Sequence, residues 1–118
     1  MVKFETIAEA ILQGNALGAR SLVQDWMSEP AATRDVGRPA TTDPVALALA
    51  ASLMELFAAR LGQAIPIWTD SIPALEQPLF PMRASLRMRN LRELCERETP
   101  EPLRKRRIFV PPNYLAFA

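Results

Sequence analysis

The residues of this sequence best suited to chemistry are cationic and lie near its C-terminal end. A run of four cations, Arg104 to Arg107, is followed at once by the apolar stretch "IFVPPNYL". Guanidinium groups bind carboxylates and phosphates, and arginine and aromatic residues are enriched at protein interfaces. We therefore expect a partner-binding site in which the arginines meet acidic groups and an aromatic ring is the anchor. Its predicted residues are Arg104, Arg106, Arg107, Phe109 and Tyr114.

A second basic set lies just before this run, and it makes the charge of the chain uneven. Residues 1–82 hold five Lys/Arg and nine Asp/Glu, a net charge of −4, whereas residues 83–118 hold nine and four, a net charge of +5. Two interpretations remain open. The arginines form a solvated face paired with nearby glutamates, or part of the set meets a polyanion or an acidic partner. The residues predicted for polyanion contact are Arg83, Arg87, Arg89 and Arg92.

Several kinds of chemistry lack the residues they need. The chain has no histidine, so the commonest general base and metal ligand is missing. Its single cysteine, Cys95, excludes an internal disulfide and predicts a structural thiol. The four glycines are isolated, which excludes a glycine-rich phosphate loop. We predict a protein that is not an enzyme and that binds no cofactor and no metal.

The elements that carry these residues follow from hydrophobic spacing. Apolar residues of the first stretch recur at helical intervals, and Gly14-Asn15 separates two short helices, so residues 1–29 predict a helical hairpin. Residues 30–42 have no period and predict a loop or tether whose order stays open. Asp43-Pro44 predicts a helix start and Gly62 its end, so residues 43–62 predict a central helix that is apolar around most of its circumference.

The second half of the chain alternates between loop and helix signals. Residues 63–82 hold four prolines among many large apolar residues, which predicts an ordered belt that wraps the helices and buries those side chains. Residues 83–98 predict a basic fourth helix, and residues 99–118 a C-terminal segment that starts with a short helical turn. Ile108-Phe109-Val110 predicts extended chain with no second strand to pair with.

Together these elements predict an all-α single domain of 118 residues, four-helix bundle-like, with a long Pro-rich apolar belt and an extended C-terminal segment. The N-terminus lacks the apolar core of a signal peptide, and the longest apolar run, 44–54, is about half a membrane span. We therefore expect a cytoplasmic protein with no membrane partner.

The stretch "GQAIPIWTDSIPALEQPLF", followed by "ETPEPLRKRRIFVPPNYL", resembles a small bacterial domain of unknown function. That domain is the C-terminal part of some helix-turn-helix regulators whose genes lie beside nucleotidyltransferase-like proteins, as in toxin–antitoxin pairs. The resemblance covers residues 57 to 115, and the helix-turn-helix half is absent here. It implies an antitoxin-like role and a toxin-like partner, without DNA reading. The matching residues are Gly62, Pro66, Trp68, Pro102, Leu103, Arg104, Arg106, Arg107, Ile108 and Phe109.

Three functional hypotheses follow from the sequence. The first is a non-catalytic bacterial protein-binding module, antitoxin-like, that recognises a protein partner through the C-terminal segment. The second is a nucleic-acid-associated protein that uses the arginine-rich fourth helix and the basic C-terminal segment. The third is a homodimer that buries the surface of the central helix or of the C-terminal segment. The C-terminal segment folding back on its own helices is the structural alternative to the first.

Overall fold

The computed structural model describes residues 1–116 and contains five α-helices there: α1 (Phe4–Leu12), α2 (Ala16–Ser28), α3 (Pro44–Leu61), α4 (Arg89–Glu98) and α5 (Glu101–Arg104). Two 3₁₀ helices, Ile67–Ser71 and Arg83–Leu86, lie between α3 and α4. The expected all-α domain is confirmed. Residue Phe117, at the end of the predicted C-terminal segment, lies outside the described residues.

The helical hairpin forms for the predicted reasons. Phe4, Ile7 and Ile11 are all buried on one face of α1. Gly14 has a φ of +78°, a left-handed conformation that a side chain would oppose, and it allows the chain to reverse. The Asn15 side chain then accepts a hydrogen bond of 3.0 Å from the Gly18 N–H and caps α2.

Residues 30–42 are docked on the hairpin. The Asp35 carboxylate accepts a hydrogen bond of 2.8 Å from the Phe4 N–H at the start of α1. The Arg34 guanidinium donates to the carbonyls of Trp26, Met27 and Glu29 at the end of α2. Both helix ends carry backbone groups that have no partner within the helix, so this segment caps two helices at once.

The central helix α3 is the framework of the fold. Its start is capped by the Asp43 carboxylate, and Gly62 at its end has a φ of +67°. Every residue from Ala46 to Ala58 is buried. The helix is long and apolar enough to cross a membrane, with a mean hydropathy of 1.6, but 72% of that window is buried inside the protein. The central position explains this composition, because a helix surrounded by protein is apolar on all sides.

Three aromatic rings join the hairpin to α3. The ring centroids of Phe4 and Trp26 lie 5.2 Å apart, those of Phe4 and Phe57 5.9 Å, and those of Trp26 and Phe57 5.7 Å. The Phe4 ring meets both others edge to face, a preferred aromatic geometry. All three side chains are almost completely buried, so this cluster is the centre of the core.

The predicted basic helix over residues 83–98 is divided in two. The 3₁₀ helix Arg83–Leu86 ends, Met88 adopts an extended conformation, and α4 begins at Arg89. Of the α4 residues, Cys95 alone is buried, which agrees with a structural thiol. Within residues 1–116, α4 lies against the second 3₁₀ helix, and Arg104 of α5 donates to the carbonyls at its end. It does not pack closely against α1, α2 or α3, because it has little apolar surface to bury there.

Two predictions about the belt and the C-terminal segment are wrong. Ile108 forms a parallel β-bridge with Leu79, although no pairing partner was expected. The Phe109 N–H donates to the Leu79 carbonyl and the Leu79 N–H to the Arg107 carbonyl, each at 2.9 Å. A bridge of one residue between prolines has no periodic signal. In the belt, Ile67 and Ile65 are exposed, at 87% and 49%, because they lie on the outer side of a turn.

Replacing Arg34 with Ala should destabilise the protein by about 1–3 kcal/mol, because three carbonyls at the end of α2 lose a charged donor. The free energy of unfolding from urea titration measures the effect. Arg38→Ala is the matched control, since Arg38 is exposed in the same segment, and it should change stability by less than about 0.5 kcal/mol. Equal effects of the two substitutions would contradict the capping role.

Candidate binding site

A buried ion pair lies beneath the predicted binding residues. Arg106 and Glu55 are each 3% exposed. The Arg106 Nη1 lies 2.7 Å from Glu55 Oε1, and its Nη2 lies 3.1 Å from Oε2, a bidentate pairing. The Lys105 Nζ lies 2.8 Å from Glu55 Oε1 and is a second cation on this carboxylate. We refer to the pair of Glu55 and Arg106 as the clamp.

The clamp connects three parts of the chain that are distant in sequence. Glu55 belongs to α3, and Arg106 follows α5. The Arg106 Nη2 also donates to the Thr69 carbonyl at 2.7 Å, and its Nε donates to the Ile72 carbonyl at 3.2 Å. One guanidinium therefore holds the belt and the C-terminal segment against the central helix.

The Glu55 carboxyl is held in its charged form. Burial alone would raise its pKa, but hydrogen bonds from Arg106, Lys105 and Thr69 outweigh burial and lower the pKa from 4.5 to about 2. The clamp is therefore ionised across the neutral range and well into the acidic range.

The position of Arg106 corrects the expectation that it binds a partner. Its donors are used inside the protein, and its side chain is not accessible at the surface. Arg104 is half-buried, and its Nη2 donates to the Arg97 carbonyl at 2.7 Å and to the Thr99 carbonyl at 3.4 Å. It caps the end of α4, where a cation also complements the helix dipole.

The other three predicted binding residues are spread over the surface. Arg107 is exposed and donates to the Glu76 carbonyl at 2.7 Å. Phe109 is half-buried and stacks on Phe80, with ring centroids 5.4 Å apart. Tyr114 is half-buried against the core, and burial raises its pKa above the ordinary value. The structure therefore does not gather the five residues into one site.

Most of the arginines predicted for polyanion contact have partners within the chain. Arg89 pairs with Glu93 and Arg92 pairs with Glu96, each at 3.1 Å, and the Arg92 guanidinium lies 5.0 Å from the Phe80 ring centroid. Their side chains are at least half exposed, so each ion pair stabilises the helix only slightly.

The other two arginines of this set differ from each other. The Arg83 guanidinium packs against Gly14 and donates to the Leu12 carbonyl at 3.4 Å, at the end of α1. Arg87 is exposed, and within residues 1–116 its guanidinium makes no hydrogen bond or ion pair. This basic face therefore offers few uncompensated cations.

A groove of about 870 Å³ lies between the start of α3 and the belt. Its walls are mainly apolar, and they include Val45 and Leu47 on the α3 side. The belt side includes Ile72, Leu75 and Leu79. Arg38 and Glu76 are exposed on its lining and supply the two charged groups.

The sequence predicted the belt but not the groove. Pro73 and Pro78 lie in its wall, and the apolar content of the belt was the available signal. A high apolar content indicates that the belt packs on other parts of the protein. It does not distinguish side chains that cover the core from side chains that line an open groove. Which belt side chains cover the core and which line the groove depends on the hydrogen bond from Arg106 to the Ile72 carbonyl. This is a tertiary contact.

The motif residues that carry the family resemblance have structural positions here. Gly62 ends α3 in a left-handed conformation. Leu103 and Ile108 are completely buried, and Arg106 belongs to the clamp. Leu103, Arg106 and Ile108 of the motif therefore hold the C-terminal segment against the core.

Comparisons of the chain with protein-family models, with curated proteins and with solved structures find no match. Within residues 1–116, no three acidic or cysteine side chains are grouped so that they could hold a metal ion.

Replacing Glu55 with Gln should destabilise the fold by about 3–5 kcal/mol, because it leaves the Arg106 charge buried without its counter-charge. Urea unfolding at neutral pH measures the loss. Glu76→Gln, on an exposed side chain, is the matched control and should have an effect below about 0.5 kcal/mol. A Glu55→Gln variant as stable as the control would contradict the clamp.

The clamp should also make the free energy of unfolding depend on pH in the acidic range. The Glu55 pKa is lower in the folded chain than in the unfolded chain, so its contribution is complete above about pH 4.5 and is lost as the pH falls toward about 2. The difference in unfolding free energy between wild type and Glu55→Gln should therefore shrink across this range. Paired urea titrations from neutral to acidic pH test this, and a constant difference would contradict it.

Proposed function

We propose that this protein is a non-catalytic binding module that holds an apolar segment of a protein partner in the groove between α3 and the belt. The observation that carries the proposal is the groove itself: about 870 Å³, with walls that are mainly aliphatic and proline side chains. A volume of this size falls in the range of functional pockets, which bury apolar surface and use a few polar groups for orientation.

The chemistry of the walls favours a peptide segment over a reacting substrate. Pro44 on the α3 side and Pro73 and Pro78 on the belt side have no backbone N–H, so they offer the groove no fixed hydrogen-bond donor. The charged side chains, Arg38 and Glu76, are exposed, and no histidine or cysteine lies beside them. Affinity would come from apolar burial, and the two opposite charges would orient the bound segment.

The belt is fixed before any ligand arrives, which supports a binding role. The Arg106 guanidinium holds the Ile72 carbonyl, and the Leu75 N–H donates to the Arg106 carbonyl at 3.1 Å. The groove wall formed by these residues therefore needs little ordering when a partner binds, and preorganisation of this kind reduces the entropic cost of binding.

The resemblance to antitoxin-like domains names the first partner to examine. A nucleotidyltransferase-like protein encoded beside the gene for this chain is the proposed partner, and the antitoxin-like role is part of the same proposal. Arg104 caps α4 and Arg106 belongs to the clamp, so both bind groups within the chain. The proposed contact with the partner is therefore the groove and not the basic run.

Nucleic-acid association is the second candidate function, and one observation favours it. Residues 77–92 contain four arginines and no acidic residue, and Arg87 is exposed. The pairing of Arg89 and Arg92 with glutamates weakens this candidate, because binding to phosphates needs several uncompensated cations on one face. Oligonucleotide binding that falls steeply with salt would favour it over the groove.

Substituting Ala74 with Trp should abolish binding of apolar peptides, because Ala74 is exposed on the groove wall and an indole there would fill the space. Peptides selected on the wild-type protein from a random displayed library should be rich in aliphatic residues. Their affinity for the Ala74→Trp variant, measured by fluorescence anisotropy, should fall at least about tenfold.

Ala32→Trp is the matched control, because Ala32 is exposed in the segment 30–42 and does not line the groove. Selected peptides should bind this variant like the wild type. Peptides that bind all three proteins equally, or a selection that enriches no sequence, would contradict the groove as a binding site.

A further inference from the structure

One end of the molecule exposes a set of large aliphatic side chains. Ile67 is 87% exposed, Ile65 49%, Val36 43% and Leu61 37%. We refer to these four residues as the aliphatic patch. Single exposed apolar residues are common on proteins, but adjacent ones indicate an interaction surface.

Two hydrogen bonds bring the two parts of the patch together. The Trp68 Nε1 donates to the Val36 carbonyl at 2.8 Å, which places residues 30–42 beside the first 3₁₀ helix. The Arg34 Nη1 donates to Gln63 Oε1 at 3.3 Å, which joins the same segment to the turn after α3. Val36 is therefore a neighbour of the Leu61–Ile67 stretch.

A buried contact of the same 3₁₀ helix keeps Ile67 exposed. Thr69, two residues later, is completely buried, and its carbonyl accepts the hydrogen bond from Arg106. This contact fixes the orientation of the 3₁₀ helix, with Ile67 on its outer side. A side chain that is 87% exposed contributes almost nothing to its own fold, so a polar residue would serve equally well there.

We propose that the aliphatic patch is the surface through which two copies of this chain associate. Residues 61–69, "LGQAIPIWT", carry no ionisable side chain. Two identical patches can therefore meet across a two-fold axis without opposing like charges, as a self-complementary interface requires. Desolvation of residues 61–69 also removes no charge from water.

A second exposed apolar surface, at Leu86 and Met88, is less suited to self-association because of the charges around it. Leu86 and Met88, each more than half exposed, alternate with Arg87 and Arg89. Bringing two such surfaces together would place cations of like sign opposite each other, which opposes self-association. Residues 61–69, which carry three of the four patch residues, contain no such cations.

The patch is small, so we expect the two copies to associate weakly. Stable interfaces bury on the order of 800 Å² per partner, which is more than four partly exposed side chains supply by themselves. We therefore expect a reversible dimer with a dissociation constant in the micromolar range.

Sedimentation velocity of the purified full chain, from low micromolar to several hundred micromolar, tests the proposal. The wild type should shift from monomer to dimer, and Ile67→Glu should remain monomeric at every concentration. Leu17→Glu is the matched control, because Leu17 is 83% exposed on α2 and lies outside the patch, and it should dimerise like the wild type. Circular dichroism at low concentration should show the same fold and thermal midpoint for both variants.

A wild-type chain that stays monomeric over the whole range would overturn the proposal, and so would an Ile67→Glu variant that dimerises normally. The groove variant Ala74→Trp separates this proposal from the proposed function. It should lose peptide binding and still dimerise, whereas Ile67→Glu should bind peptide as a monomer.

Discussion

The bidentate pair between Glu55 and Arg106 is the interaction on which the rest of the structure depends. A carboxylate in the middle of an apolar helix is costly to bury unless it is paired and hydrogen-bonded. Here it meets two cations, and the donors left over on Arg106 hold the Thr69 and Ile72 carbonyls. A pair of hydrophobic residues could fill the same volume, but it would not specify which carbonyls lie against α3. The clamp thus fixes the position of the belt, and through the belt the groove wall and the aliphatic patch.

Three of the arginines bind the ends of the chain's own helices. Arg34 caps α2, Arg83 reaches the last turn of α1, and Arg104 caps α4. Each donates to carbonyls that have no partner within the helix, and each places a cation at the negative end of a helix dipole. A net charge of +5 on residues 83–118 is therefore compatible with a surface that has little capacity for phosphates. Charge counted along the sequence overstates the charge that is available to a partner.

The belt supplies both proposed surfaces because its prolines prevent it from forming a helix or a long strand. Without a regular backbone pattern, successive apolar side chains point in different directions. Ile72 enters the core, Leu75 and Leu79 line the groove, and Ile67 points to solvent. Helix α3 buries most of its apolar residues, and the belt contributes much of the apolar surface that is left for binding.

The sequence by itself determined the helices and their ends. Apolar spacing predicted α1, α2 and α3, and Asn15, Asp43 and Gly62 marked their caps, because these signals arise from contacts within a few residues. It did not determine the roles of the charged residues. Arg106 and Arg107 are neighbours of the same type, yet one is buried on Glu55 and the other is exposed. That difference, the Leu79–Ile108 bridge and the groove depend on contacts between residues about thirty to fifty positions apart, and only the tertiary structure decides such contacts.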